Sequence, residues 1–303
     1  MTKLRFKQFF RILKEAGINW YERDPFREGA VIAYYAIFAL PGLLMLIISI
    51  AGYFFGNEII SGMVYNQVYE SLGENAATQI QSMLMMAMES KDSRWATIFG
   101  LITLIVGATG VFAQLQKSLN NIWGVEAKQA KSGIWAFIKT RIFSFGLIVS
   151  IAFLLLISLV LSSLFNALTD WMHQYLSDTL ISIMQSFDFL FSLAVITVLF
   201  ALMLKILPDA NIKQKSVWIG AFITALLFVI GKSALGLYFG KANPASGYGP
   251  AGSIILILLW TSYSSMIVFL GAEFTKVYSD YHFGKTAPSD IAVEVKEIKI
   301  EMP

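Results

Sequence analysis

Three ionisable residues interrupt otherwise apolar stretches of this chain: Asp188, Lys232 and Glu273. A charge placed in hydrocarbon is costly and usually faces a bundle interior or a wet cavity, so each is a candidate for function. Asp188 lies about seven residues, or ~10 Å of helix, from the outer end of its stretch, and Lys232 about eight residues, or ~12 Å, from the outer end of the next. The two are therefore expected to meet at similar depth, in an outward-facing polar site where Lys232 can receive an anionic group. The competing reading is a structural ion pair, or a lysine snorkelling to the headgroups. Glu273 stands near the inner end of the last apolar stretch, close in depth to Lys205 and Arg141. It is expected to pair with one of them as bundle glue.

Backbone punctuation adds further candidates. The run Ser246-Gly247-Tyr248-Gly249-Pro250-Ala251-Gly252 leads straight into the last apolar stretch. Free N–H groups at a helix start can hold an anion, which makes Tyr248 and Gly249 candidate binding residues; a plain surface turn is the alternative. Pro41 removes a helix hydrogen bond and is expected to kink its segment. Gly107 with Gly110, and Gly236 with Gly240, allow close helix contacts. Arg23 and Asp24 are expected to organise a cytoplasmic mouth. There is no HExxH, GxSxG or P-loop signature, and cysteine is absent. No catalytic set, metal site or cofactor is expected.

The elements that must position these residues follow from composition. Of 303 residues, 56% are hydrophobic and 14% charged, against about 25% charged in an average soluble domain. Too little charge exists to cover a water-facing surface, so lipid is expected to cover much of the chain. The net charge of +3 gives no case for a nucleic-acid partner. Six runs are long enough to cross a bilayer core of roughly 20 residues: 30–55, 95–116, 142–165, 181–204, 217–240 and 251–274. The runs are continuous instead of alternating, so helices are expected and not strands. The fold class is all-α: a polytopic membrane protein in which 1–285 form one six-helix domain and 286–303 a short, flexible cytoplasmic tail.

Orientation follows from Lys and Arg. With six spans, nineteen of the 23 basic residues fall on one side and three on the other, with Lys232 between. Both termini are therefore expected in the cytoplasm. Trp95, Trp123, Trp135, Trp171 and Trp218 sit near span ends, where amphipathic rings are favoured. Residues 3–20 read as an amphipathic helix with basic residues between Leu4, Phe6, Phe9, Phe10 and Leu13. It can lie on an anionic membrane surface or cap the bundle. The outer loop 56–94 contains a helical stretch from Met63 to Met88, in which Met83, Met85, Met86 and Met88 can form an adaptable apolar surface or simply rest on the bundle.

Four stretches carry a family resemblance: Arg23-Asp24-Pro25 with Ala30 to Pro41; Leu119-Asn120-Asn121-Ile122-Trp123-Gly124-Val125; Leu207-Pro208; and Tyr248-Gly249 through Leu259-Trp260 to Gly271-Ala272-Glu273. In this order and spacing the chain resembles the YihY/BrkB family of bacterial inner-membrane proteins, once labelled ribonuclease BN. The resemblance implies a six-helix inner-membrane protein without a catalytic set. It also favours transport of a lipid or anionic solute, since some members are linked to envelope or lipopolysaccharide-precursor transport.

The leading expectation is a transporter or flippase-like protein for an anionic lipid or amphiphile, not an enzyme, with membrane lipids as partners and an oligomer allowed. A non-transporting envelope scaffold is the alternative. The binding candidates are Lys232, Asp188, Tyr248 and Gly249; the structural or gating candidates are Arg23, Asp24, Pro41, Arg141, Lys205 and Glu273. Reporter fusions at the two ends are expected to mark the same, cytoplasmic, face; opposite faces would refute the six-span topology.

Overall fold

The computed structural model of the protein describes residues 2–89, 94–127, 178–242, 244 and 246–295. Helix α1 (Thr2–Glu22) leads through Arg23 and Asp24 into α2 (Pro25–Phe55). Asp24 lies in the left-handed region at φ 53°, a conformation Asp tolerates better than most residues. Pro25 then opens α2 where its missing N–H costs nothing. Helix α2 continues through Pro41 to Phe55.

Gly56 (φ 91°) separates α2 from α3 (Asn57–Leu72), and Gly73 (φ 83°) separates α3 from α4 (Glu74–Glu89). The single helical stretch expected from Met63 to Met88 is thus two helices, broken where a glycine takes a φ that side chains avoid. Helix α5 (Arg94–Trp123) covers the expected second span and ends at Gly124 before strand β1 (Val125–Ala127). The expected third span, 142–165, and Arg141 lie outside the described residues. Helix α6 (Asp178–Ile206), helix α7 (Gln214–Ala242), a 3-10 turn (Ser246–Ala251) and α8 (Gly252–Phe283) follow, then strand β2 (Ala292–Glu294).

Among the described residues, four helical segments are long and apolar enough to cross a membrane: Pro25–Leu44, Phe189–Ile206, Gln214–Phe239 and Gly252–Phe283. Only 28–39% of each is buried within the protein. The remaining apolar surface, including Leu190, Phe222, Ile230 and Leu237, is not covered by the described residues, and hydrocarbon is the solvent that suits it.

Helix α8 is central, packing against α1, α2, α4, α5 and α7, while α2 also packs along α5 and α6 along α7. The main core joins Leu119 and Ile122 of α5, Phe200 and Leu204 of α6, Ala221 and Ala225 of α7, and Val268 and Ala272 of α8. A second core seats the α3–α4 hairpin: Ile60, Ile80 and Leu84 meet Leu44, Phe239 and Leu256. Met83 packs on this core, whereas Met85 is exposed. A third joins Ile12 and Ala16 of α1 to Phe274 and Val277 of α8. Helix α1 therefore docks on the bundle by one side, and Phe10, Ile18 and Tyr21 remain exposed.

Small residues set the helix spacing. A Cβ on Gly107 would come 2.5 Å from the backbone N of Ala39, and one on Gly110 would overlap the Tyr35 ring. Between α7 and α8 the arrangement is reciprocal. Gly220 lies against Thr275 and Gly271 against Thr224. Each threonine hydroxyl donates to the carbonyl of the glycine four residues back in its own helix, at 2.7 Å for Thr224 and 2.6 Å for Thr275.

Of the segment expected as a flexible tail, the described residues 286–295 are held by backbone pairing. Strand β2 pairs antiparallel with β1, Glu126 opposite Val293. The backbone N–H groups of Ser289 and Asn211 donate to the carbonyls of Asp209 and Ala287, both at 2.9 Å. Three-residue strands carry too little alternation to be read from sequence, and β2 finds its partner far along the chain.

Gly271→Val would force a β-branched side chain onto Thr224, and overpacking of this kind costs about 1–3 kcal/mol. The variant is expected to unfold at a lower temperature in detergent than the parent. Gly17→Ala, at a site with nothing within 4 Å, is expected not to.

Candidate functional site

The α1–α2 break returns Arg23 over the ends of α5 and α8. Trp20, one turn earlier, anchors the break: its Nε1 donates to the carbonyl of Met266 at 2.9 Å. Arg23 Nη1 donates to the carbonyl of Asn121 at 2.8 Å, with the Asn121 side-chain oxygen at 3.3 Å. That carbonyl, among the last four of α5, also accepts the Gly124 N–H at 3.2 Å, and the guanidinium adds a charged donor that complements the helix dipole.

Arg23 Nε faces Glu273 Oε1 at 2.6 Å. The Glu273 side chain is 0% exposed and that of Arg23 29% exposed. Glu273 is thus an ionisable group wholly enclosed within an apolar helix, held by a cation that reaches solvent. Oε1 meets Arg23 as an ion pair, but neither carboxylate oxygen has a well-directed hydrogen-bond donor among the described residues.

Beside this pair is a cavity of about 20 Å³. Trp20, Pro25, Ile122 and Phe269 wall it, and Arg23, Glu28, Ser118, Asn121 and Glu273 supply its polar lining. That volume suits roughly one water molecule. Across from Glu273, Glu28 in the first turn of α2 accepts from Ser118 Oγ at 2.6 Å and from Gln114 Nε2, while Arg27 Nη2 lies 3.3 Å from its other oxygen. Glu28 is a filled acceptor that ties α2 to α5; Glu273 has the Arg23 ion pair on one oxygen and no well-directed hydrogen bond on either among the described residues.

A second polar clasp adjoins the first. Asn120 Nδ2 donates to Asp209 Oδ2 at 2.7 Å, and the Asp209 backbone N–H donates to Asn120 Oδ1 at 2.8 Å. Gln116 Nε2 lies 3.3 Å from both carboxylate oxygens. Asn120 and Asp209 are both buried. Arg23, Asn120, Asn121 and Glu273, together with Asp209 immediately after Leu207-Pro208, therefore meet at one end of the bundle, where stretches far apart in sequence converge.

The partner expected for Glu273 needs correction. Lys205 donates to the Ile212 carbonyl at 2.7 Å and braces its own loop, and Arg141 lies outside the described residues. Arg23 takes Glu273 because the left-handed Asp24 turns the chain back over α8. Lys232 is half-buried on α7, Asp188 lies on α6, and Tyr248, 59% exposed, sits with Gly249 in the 3-10 turn. Neither Lys232 nor Tyr248 lines the cavity. Glu28, Ser118, Gln114, Asn120 and Asp209 were not singled out as site residues. The signal available for Glu28 was a carboxylate beside Gly29, at the very edge of the first apolar run.

A family model described as "Virulence factor BrkB" matches residues 19–292. A membrane protein of Tolumonas auensis is 25% identical over 274 residues, covering 88% of this chain and 84% of the relative. One from Pseudoalteromonas atlantica is 24% identical, covering 86% and 83%. YfkH of Bacillus subtilis, named only as ribonuclease-like, is 21% identical, covering 86% and 92%. No solved structure matches.

Removing one member of a buried ion pair strands the other, at a cost of about 3–5 kcal/mol, less where one partner is exposed as Arg23 is. Replacing both by apolar residues removes that penalty. Arg23→Met is therefore expected to destabilise the protein, and Arg23→Met with Glu273→Leu to recover part of the loss. Denaturant unfolding in mild detergent checks this; a double variant weaker than the single would contradict it.

Proposed function

The chain belongs to the virulence factor BrkB family, whose curated relatives are membrane proteins, and we propose that it is a transporter or flippase-like protein for an anionic lipid or amphiphile. The observation that carries this reading is the enclosed Glu273 within an apolar helix, paired with Arg23 and bordering a small cavity. A purely structural bundle gains little from such a pair, because desolvation offsets most of the attraction. Charges retained at membrane depth commonly mark pathways.

In this reading six helices span the bacterial inner membrane: α2, α5, α6, α7, α8 and the apolar run 142–165. Both termini are cytoplasmic, as the distribution of Lys and Arg supports. The Arg23–Glu273 node then closes the cytoplasmic end, with Asp24 and Pro41 as the backbone irregularities around which α1 and α2 move. Lys232, half-buried on α7, is the cation that meets the anionic group from the outer side, with Asp188, Tyr248 and Gly249 nearby in depth. The sequence holds no nucleotide-binding motif, so movement is facilitated or driven by an ion gradient.

The test is flux of a fluorescent phosphatidylglycerol across reconstituted vesicles, read by quenching of the outer leaflet. Wild-type protein is expected to exceed empty vesicles, and Lys232→Met to slow flux about tenfold, the scale of one lost charge interaction of ~1.4 kcal/mol. Wild-type rates in that variant would remove Lys232 from the pathway. Flux no faster than in empty vesicles would overturn the transport reading.

A further inference from the structure

The enclosed carboxylate, short of hydrogen-bond donors among the described residues, and its partly exposed partner imply more than closure. Arg23 has five N–H donors, and its Nε and Nη1 are used by Glu273 and Asn121. Nη2 makes no hydrogen bond among the described residues, and the side chain reaches solvent while Glu273 does not. The exposed edge of a guanidinium fork matches two oxygens of a phosphate. The adjoining cavity admits about one water-sized group, so a phosphate would rest on that edge with its bulk outside.

Charge decides what happens next. The pair as it stands is neutral, and Glu28 across the cavity has Arg27 beside it. On Glu273's own helix, Lys276 and Asp280 act on it with opposite signs. The neighbouring lining groups of α5, Ser118 and Asn121, carry no charge, nor do Gly220 and Thr224 where α7 meets this part of α8. An anion taking Arg23 would leave Glu273 as an uncompensated charge in a low-dielectric enclosure, the costly case for a buried carboxylate. One proton from solvent, added to Glu273, restores neutrality.

We propose that Arg23 and Glu273 form an exchange site in which a phosphate-bearing anion binds the free edge of Arg23, replaces Glu273 as its counter-ion, and leaves Glu273 to take up one proton. The proposal rests on the transport reading and supplies its ion coupling. The balance is complete: an Arg23–phosphate ion pair forms on the exposed edge, one O–H bond forms on Glu273 with a proton from solvent, and the Arg23–Glu273 contact passes from ionic to neutral. The shared ligand chemistry is a phosphate group, borne by a lipid headgroup or free in solution.

Titration calorimetry on the full-length protein in neutral-lipid nanodiscs tests this, with dihexanoyl phosphatidylglycerol, glycerol phosphate and inorganic phosphate as probes. Each titration is run in two phosphate-free buffers of different ionisation enthalpy. Wild-type protein is expected to take up about one proton per phosphate bound. Glu273→Gln, nearly isosteric, is expected to bind at least about threefold tighter with no proton uptake, because the competitor for Arg23 is gone. Arg23→Gln is expected to bind about tenfold more weakly, with Arg23→Lys intermediate as the control that keeps the charge. Glu28→Gln is expected to keep the proton uptake.

Binding of the lipid alone identifies a headgroup site, and binding of all three probes a free-phosphate site; both support the proposal. Binding to wild type without proton uptake, or unchanged uptake in Glu273→Gln, overturns the exchange and leaves the flux result standing. Failure of all three probes to bind overturns the site itself.

Discussion

A single carboxylate organises the described end of this membrane bundle. Glu273 sits on the packed face of α8, fully enclosed, and an ionised group in that position has to be met. Arg23 meets it. Doing so requires α1 to stop, Asp24 to take a left-handed conformation, and Trp20 to hold the turn against α8. The same guanidinium closes α5 through Asn121. Three helices that share no sequence neighbourhood are thereby fixed to one point.

The adjoining contacts extend that point into a small polar floor. Asn120 and Asp209 bind each other twice, and the carbonyl of Asp209 receives the chain's later segment through Ser289. Pairing of β2 with β1 continues the brace past Gly124, where the Val295 N–H reaches the Gly124 carbonyl. Lys205 contributes by holding the Ile212 carbonyl. Each contact satisfies a backbone or amide group that would otherwise be stranded at the end of an apolar helix.

Much of this architecture was legible in residue order. The runs containing α2, α6, α7 and α8 announce themselves by length and lack of charge, because hydrocarbon tolerates nothing else over that distance. Glu273 was conspicuous for the same reason. Its partner was not, because hydropathy assigns depth but not azimuth: Lys205 and Arg141 share its level, while the deciding event is a local turn at Asp24. Asn120 and Asp209 were less visible still, since an amide at a helix end and an acid in a loop look ordinary until they face one another. The ribbon from β1 to β2 was beyond reach, as three residues define no period. The Gly220–Thr275 and Gly271–Thr224 contacts were missed because a glycine reveals its neighbour only once two helices are laid together.

That last contact has a mechanical consequence. Thr224 and Thr275 spend their hydroxyls on their own helices, so the α7–α8 seam there is fixed by shape, each methyl-bearing tooth in the other's notch. Only one register seats both teeth at once. A step of one residue would drive each threonine into a bulkier neighbour, so these two helices travel as one plank. Relative motion is left to joints fastened by ions and amides, which can be undone by trading partners without opening a void.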